Sequence, residues 1–262
     1  MKIIDLSFFH LAMAYLLLLA PLLIIIVCRV KMLRRTLTAV SRMTVQLLLV
    51  GFYLGIIFEL DTPLLTLAWV LVMLTVSSIT TIHSSNLRLR HFALPLFIAI
   101  AIGTAIPLLF FTGILLTESS LLAPRYLIPI GGMIMGNCMN ANIIGIKSFY
   151  HGLRDKEEEY CYRLSQGATF GEALAPFVRK SLESALSPTV ASIATIGLVS
   201  LPGMMTGTIL GGAPPAIAIK YQIAIMLAIL CGTSLTVYLA LRITSKSAFD
   251  ACGILKKDIF KT

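Results

Sequence analysis

Hydrophobic and polar positions divide this chain into seven long apolar runs and one long polar one. The apolar runs are Leu11 to Cys28, Thr36 to Phe58, Leu64 to Ile82, Phe92 to Leu116, Tyr126 to Phe149, Thr189 to Gly212 and Ala216 to Leu241. Each holds about 18 to 26 residues, enough at about 1.5 Å per residue to cross a hydrocarbon core of about 30 Å. The polar run, His151 to Pro188, holds eleven of the chain's 21 basic and 12 acidic residues. Hydrocarbon does not accept that density, because one charge at mid-membrane costs about 3 kcal/mol. Within it, Gln166-Gly167-Ala168-Thr169 reads as a turn between two short helices, with glycine supplying permissive backbone. The pattern predicts an all-α fold: a polytopic membrane helical bundle of seven transmembrane helices. It forms a single domain over 1–262, with an aqueous helix-turn-helix at about 151–188.

Composition agrees, at 58% hydrophobic and 13% charged, against about 25% charged in a soluble domain. Charge then fixes the expected topology. With the N-terminus outside, 18 of the 21 Lys and Arg residues fall on one side. Lys2 and Arg125 lie on the other, and Lys220 near the outer end of the seventh run. Basic loops stay in the cytoplasm, which puts the C-terminus and the polar run there. The net charge of +9 is spread over short loops and forms no basic, aromatic-interleaved patch of the nucleic-acid type. The N-terminus shows no basic segment leading to a small-residue cleavage site, so the first run reads as a retained span.

Glycines four apart, Gly51 and Gly55, Gly132 and Gly136, and Gly203, Gly207 and Gly211, make small-residue ridges on which helices can approach closely. Packing within one bundle is the expectation for the first pair. In the sixth run, packing and a dimer seam compete. Pro202, just before Gly203, predicts a kink or break midway through that run.

The most polar membrane stretch is GGMIMGNCMNANIIG in the fifth run. At about 100° per residue, Met133, Gly136, Asn137 and Asn140 share a face. Amides in hydrocarbon need partners, so this face should look inward to the bundle or to a wet pathway. Interhelical hydrogen bonding and a pathway are both open for Asn137, whereas Asn142 reads as interhelical bonding. The methionines and Cys138 read as gap-filling core, with a soft-metal box as the alternative. Gln46, Gln222 and Lys220 are further candidates. The expected substrate path is Asn137, Asn140, Met133, Gln46, Pro202, Gly203 and Gly207, with no metal-ligand set assigned.

Several chemistries are excluded or disfavoured. No GxxxxGK[ST], HExxH or GxSxG motif occurs, so ATP is not held here by the usual loop and the chain is not expected to be an enzyme. Five cysteines without CxxC spacing argue against a zinc site or disulfide framework. Each reads as a small buried apolar residue. In the polar run, Phe170, Ala173, Leu174, Phe177, Val178 and Leu182 form an apolar stripe framed by mixed charge, suited to a protein groove. Pro176 should kink this helix or delay its start.

RLSQGATFGEAL resembles the EAA-type loop of ABC transporter permeases, where two short helices about a glycine dock on the ATPase subunit. GLVSLPGMMTGTILGG with the following AIKYQI, and GGMIMGN in the fifth run, resemble the bacterial iron-export ABC permease family (FetB-like) and its plant aluminium-tolerance relatives. The likeness covers nearly the whole chain. It implies a homodimeric permease of a bacterial plasma (inner) membrane that works with a separate ATP-binding cassette ATPase. The cargo would be a metal ion, iron first, and no cofactor belongs to this chain because ATP sits on the partner. Leu164, Gly167, Ala168, Thr169, Phe170 and Ala173 would make the ATPase coupling. In one place the chain departs: where the family reads Asp-Ser-Ala-Lys-Thr, both charges are replaced, by Ala191 and Ala194. The resemblance therefore carries the docking loop further than the substrate, and a nucleotide sugar stays as the alternative cargo. Two other functions are weighed, a gradient-driven secondary transporter and a membrane scaffold recruiting a cytoplasmic partner. The first would want acidic residues within the spans.

Overall fold

The computed structural model describes residues 7–115, 123–250 and 253–260. Cys252 and the expected end of the fourth run at Leu116 and Glu118 lie outside them. The described residues are mostly helical, and among them six helices are long and apolar enough to cross a membrane: Phe9–Val27, Leu33–Leu60, Pro63–Ser84, Leu89–Leu115, Pro124–Asp155 and Pro215–Ala248.

The chain divides into two units, Met1–Leu60 with Leu210–Gly212, and Asp61–Ile209 with Ala213–Thr262. In the first, α1 (Phe8–Ala14), a 3-10 turn (Tyr15–Leu18) and α2 (Leu19–Val27) run together, and α3 (Leu33–Leu60) follows. The Tyr15 and Thr44 hydroxyls hydrogen-bond between the two rods.

In the second unit α4 (Pro63–Ser84), α5 (Leu89–Phe110, continued by a π turn Phe111–Leu115), α6 (Pro124–Asp155) and α10 (Pro215–Ala248) make the bundle. Prolines at the first turn of α4, α6 and α10 set their starts, since the missing N–H is an orphan there anyway. The closest backbone approach joins α5 to α10. A Cβ on Gly103 would stand 2.5 Å from Thr236 Cγ2 and 2.8 Å from the Thr236 nitrogen. Gly145 meets Val237, and Gly232 meets Cys138 and Ile134, almost as tightly. The spaced glycine ridges do less. Gly136, Gly203 and Gly207 have nothing within 4 Å of a built Cβ, nor do Gly51 and Gly55, and Gly132 touches only the end of Met73. Spacing puts glycines on one face, but it does not say which face receives a neighbour.

The sixth apolar run is not one continuous helix. Helix α8 (Phe170–Thr195) ends inside it, Ile196 and Ser200 pair across a short loop, and α9 (Gly203–Leu210) resumes after Pro202. The break foreseen at Pro202 is present. Within the run, Thr189 to Thr195 and α9 supply only about 10 and 12 Å of helix, and the run is not among the six long apolar helices.

Helices α6 and α10, at 32 and 34 residues, reach about 48 and 51 Å, well beyond a 30 Å core. Their overshoot changes the reading of the polar run. The apolar stripe of α8 is not free for a partner's groove. Ala173, Leu174 and Phe177 are buried and join a core with Phe149, Tyr150, Leu153, Val237 and Leu241, while Val178 and Leu182 pack at its edge. The chain's own projecting helices supply the groove. Pro176 and Pro188 both lie within α8, which starts at Phe170 and so is not delayed. The cysteines divide as well: Cys138 is buried, Cys161 half-buried, and Cys28 and Cys231 exposed.

Candidate functional site

At one end of the second unit the chain builds a rigid platform. Helix α7 (Glu157–Ser165) closes with Gly167 in the left-handed region, φ +87°. The Gly167 amide donates to the Leu164 carbonyl at 3.0 Å and the Ala168 amide to that of Arg163 at 3.2 Å, the pair of bonds that ends a helix on a left-handed glycine. Two residues later α8 begins with a reciprocal cap. The Glu172 amide donates to the Thr169 hydroxyl at 3.4 Å, and the Glu172 carboxylate accepts from the Thr169 amide at 2.8 Å and hydroxyl at 2.7 Å. These bonds hold the Glu172 carboxyl below its usual range. One helix is stopped and the next started within four residues, so the turn has a fixed shape although it is exposed. The T-x-x-E signal of this cap is legible in the sequence and was not used above.

The residues expected to couple separate by depth. Gly167 and Thr169 are exposed, Ala168 is half-buried, and Phe170 is 39% exposed. Ala173 is fully buried and Leu164 packs inward against the position of Gly253. Tyr162, beside the turn, is 65% exposed. On the same face Glu159 accepts from Lys156 Nζ and Arg163 Nη2, both at 3.0 Å, which lowers its carboxyl.

Beneath the turn runs the C-terminal segment, which the sequence reading left unassigned. Phe249, at the end of α10, stacks edge-on against Phe170 with ring centroids 5.0 Å apart and lies 5.9 Å from Tyr160. The Tyr160 hydroxyl donates to the Gly253 carbonyl at 2.6 Å. Further on, the Arg88 amide donates to the Ile259 carbonyl at 2.9 Å, Leu87 pairs with Phe260, and the Arg154 guanidinium sits 5.2 Å over the Phe260 ring. His91 Nε2 stands 3.6 Å from Asp258 Oδ2. The segment thus ties the α4–α5 connection, the end of α6, the α7–α8 turn and the end of α10 together.

In the membrane region the broken segment opens two cavities against α10. One, of about 250 Å³, is lined by Tyr126, Met204, Met205, Thr208, Tyr221 and Gln222 among others. The second, of about 430 Å³, includes Ile196, Gly197, Pro202, Met205, Gln222 and Met226. Met205 and Gln222 border both. Gln222 is 7% exposed and its side-chain oxygen has no hydrogen-bond partner.

Of the expected path residues, Pro202 lines a cavity and the others line neither of these two. Asn137 and Asn140 lie on an exposed face of α6 with half-buried Met133, and Asn137 Nδ2 donates to its own helix at the Met133 carbonyl, 2.9 Å. Gln46 is exposed on α3, in the other unit. Gly203 and Gly207 are exposed on α9. Asn142 is buried and donates to the Cys138 carbonyl at 2.8 Å, with its oxygen unpartnered. Among the described residues no group of three or more His, Cys, Asp or Glu side chains is placed to hold a metal ion.

Long apolar helices, one broken segment bordered by cavities and a polar platform at one end define a multi-pass helical membrane protein. The chain belongs to UPF0014, described as an uncharacterised protein family, whose pattern matches residues 8–249. It is 36% identical over 213 residues to the probable iron export permease protein FetB of Escherichia coli, covering 81% of each chain. It is 34% identical over 196 residues to the UPF0014 membrane protein slr1647 of Synechocystis, covering 75% of this chain and 76% of the relative. To the ALUMINUM SENSITIVE 3 protein of Arabidopsis thaliana it is 34% identical over 191 residues, 72% and 67% of the two chains. No solved structure matches it.

Proposed function

We propose that this chain is the permease subunit of an ABC transporter: one domain over 1–262, acting as a homodimer in the lipid of a bacterial inner membrane with a separate ATP-binding cassette ATPase. Its N-terminus faces outward and its C-terminus the cytoplasm. It is not itself an enzyme, since ATP binds and is hydrolysed on the partner. The cargo is a metal ion, with iron the first candidate from the name of the Escherichia coli relative.

The observation that carries this reading is the doubly capped, exposed turn at Gly167 to Thr169. It joins two helices whose other faces are buried in the bundle. A partner pressing on such a turn moves α8 as a body instead of deforming a loop, and α8 leads directly into the broken segment beside the cavities. Gly167, Ala168, Thr169 and Phe170 make the contact, with Tyr162 beside them as an exposed aromatic anchor of the kind that dominates interfaces. Leu164 and Ala173 support it from beneath. The route follows the cavities at Pro202 and Gln222 and not the exposed face of α6 that carries Asn137 and Asn140.

Co-purification with the cognate ATP-binding protein tests this. The wild-type chain should retain the ATPase and stimulate it. Gly167→Val and Tyr162→Ala should lose both while remaining folded in the membrane. Full stimulation by both variants would remove the docking assignment.

A further inference from the structure

We propose that Gln222, Met204 and Met205, with Met226 on the adjoining side, form a transit site for a soft, singly charged metal cation. The inference rests on the permease reading above, keeps its metal-ion cargo and departs from iron as the first candidate.

Gln222 supplies the first argument. It sits on α10, deeply buried, with its amide oxygen unpartnered and both cavities at its side chain. A buried carbonyl oxygen without a partner is costly to keep, and its retention asks for a ligand that supplies positive charge or a donor. The neighbouring groups say which. Met204 and Met205 line the first cavity, and Met205 and Met226 the second. Thioethers donate no hydrogen, so they offer nothing to an anion and little to a sugar, but they are ligands for soft cations. The Thr208 hydroxyl, also in the lining, already donates to the Met204 and Met205 carbonyls at 3.1 and 2.9 Å, which leaves its lone pairs facing outward as acceptors. Tyr126, Tyr221 and the Gln222 amide nitrogen in the same lining can also donate, so it is the methionines that point to a soft cation.

Charge decides between cations. All residues lining the two cavities are neutral at physiological pH. The Born cost of bringing an ion out of water rises with the square of its charge, about fourfold from a singly to a doubly charged ion, and no carboxylate is in the lining to offset it. A neutral thioether–amide set therefore favours a soft univalent ion over ferrous iron, which prefers harder or anionic ligands. Neutral ligands also bind weakly enough to release, as a transported ion requires. Both cavities lie where the sixth segment is broken: Ile196, Gly197, Leu201 and Pro202 line the second, and Met205, just past the break, borders both.

The test uses the full-length purified chain in detergent without its ATPase, with accessible thiols alkylated beforehand. Silver ion is the probe for soft univalent character, and ferrous iron, held anaerobically, is the competitor. The wild-type chain should bind one more silver ion per chain than Met204→Leu/Met205→Leu, and a tenfold excess of ferrous iron should not displace it. Gln222→Leu should weaken silver binding about tenfold. Gln222→Glu keeps the shape but adds a charge, and should gain ferrous binding. With selenomethionine in place of methionine, X-ray absorption should show a silver–selenium distance that disappears in the double variant. Equal silver uptake by wild type and the double variant overturns the site, as does ferrous binding by the wild type that silver cannot displace. If the double variant does not fold, the weakened silver binding of Gln222→Leu and the Gln222→Glu exchange of preference decide alone. None of these outcomes depends on ATPase docking, so failure here leaves the co-purification result to judge the permease reading separately.

Discussion

The Tyr160 hydroxyl donates a 2.6 Å hydrogen bond to the Gly253 carbonyl, joining the α7 arm of the platform to the C-terminal segment across 93 residues of sequence. Tyr160 is 1% exposed, and its burial, with smaller contributions from Cys161 and Asp250, raises its phenol to about 12. The hydroxyl stays protonated and donating across any physiological pH. Because the folded-state value is raised, its contribution is complete below the ordinary phenol value near 10 and is lost as pH climbs through about 12. Tyr160→Phe keeps the ring packing on Phe177 and Phe249 and removes only the bond. It should cost about 1 kcal/mol and speed amide exchange at Arg88, whose partner Ile259 lies further along the same segment.

Thr169 and Glu172 cap α8 reciprocally. Thr169→Ala should destabilise the start of that helix by about 1 kcal/mol, seen as faster amide exchange over 170–173 with the helix past Phe177 unchanged. Since the Glu172 carboxyl is lowered by its bonds to Thr169, the cap is fully present above the ordinary carboxylate value and is lost as pH falls through the lowered one. Protection factors over 170–173, with the intrinsic pH dependence of exchange divided out, should therefore fall on acidification in the wild type and be flat in Glu172→Gln.

Gly103 and Gly136 provide a matched pair. A side chain at Gly103 meets the Thr236 backbone, which cannot move aside, whereas Gly136 has open space. Gly103→Val should lower stability in detergent by about 1–3 kcal/mol. Gly136→Val should change it little. Thermal unfolding of the two variants side by side checks the ranking, and the reverse order would mean that the fifth span's glycine ridge, not the α5–α10 contact, is the tight seam.

Asn137 makes its hydrogen bond within its own helix and borders neither cavity. Asn137→Leu should cost less than about 1 kcal/mol of stability and leave transport per folded protein close to wild type, while Gln222→Leu lowers it. Transport assays in matched vesicles give the ranking. Loss with Asn137→Leu alone would move the route to the exposed face of α6.

Much of this protein was written in one dimension. The apolar runs, the turn at Gly167, the break at Pro202 and the family likeness depend on local composition and local stereochemistry, and hydrocarbon enforces them because it accepts neither charge nor unpaired backbone. The T-x-x-E cap was legible in the same way. What tertiary structure decided was which neighbour each face received. The α8 stripe is amphipathic in sequence whether it meets a partner or its own chain, and only the overshoot of α6 and α10 shows that it is already covered. Asn137 stood out because amides are rare in a span, yet polarity along a helix does not say which side faces a cavity. Gln222 follows Lys220 and Tyr221 in an otherwise apolar run and acquires meaning only because the broken segment brings Met204 and Met205 to the cavity it lines. The C-terminal segment has no periodicity to announce it. It is held by single contacts to residues such as Leu87, Arg154, Tyr160 and Phe170, all distant in sequence, and contacts of that kind leave no local pattern to read.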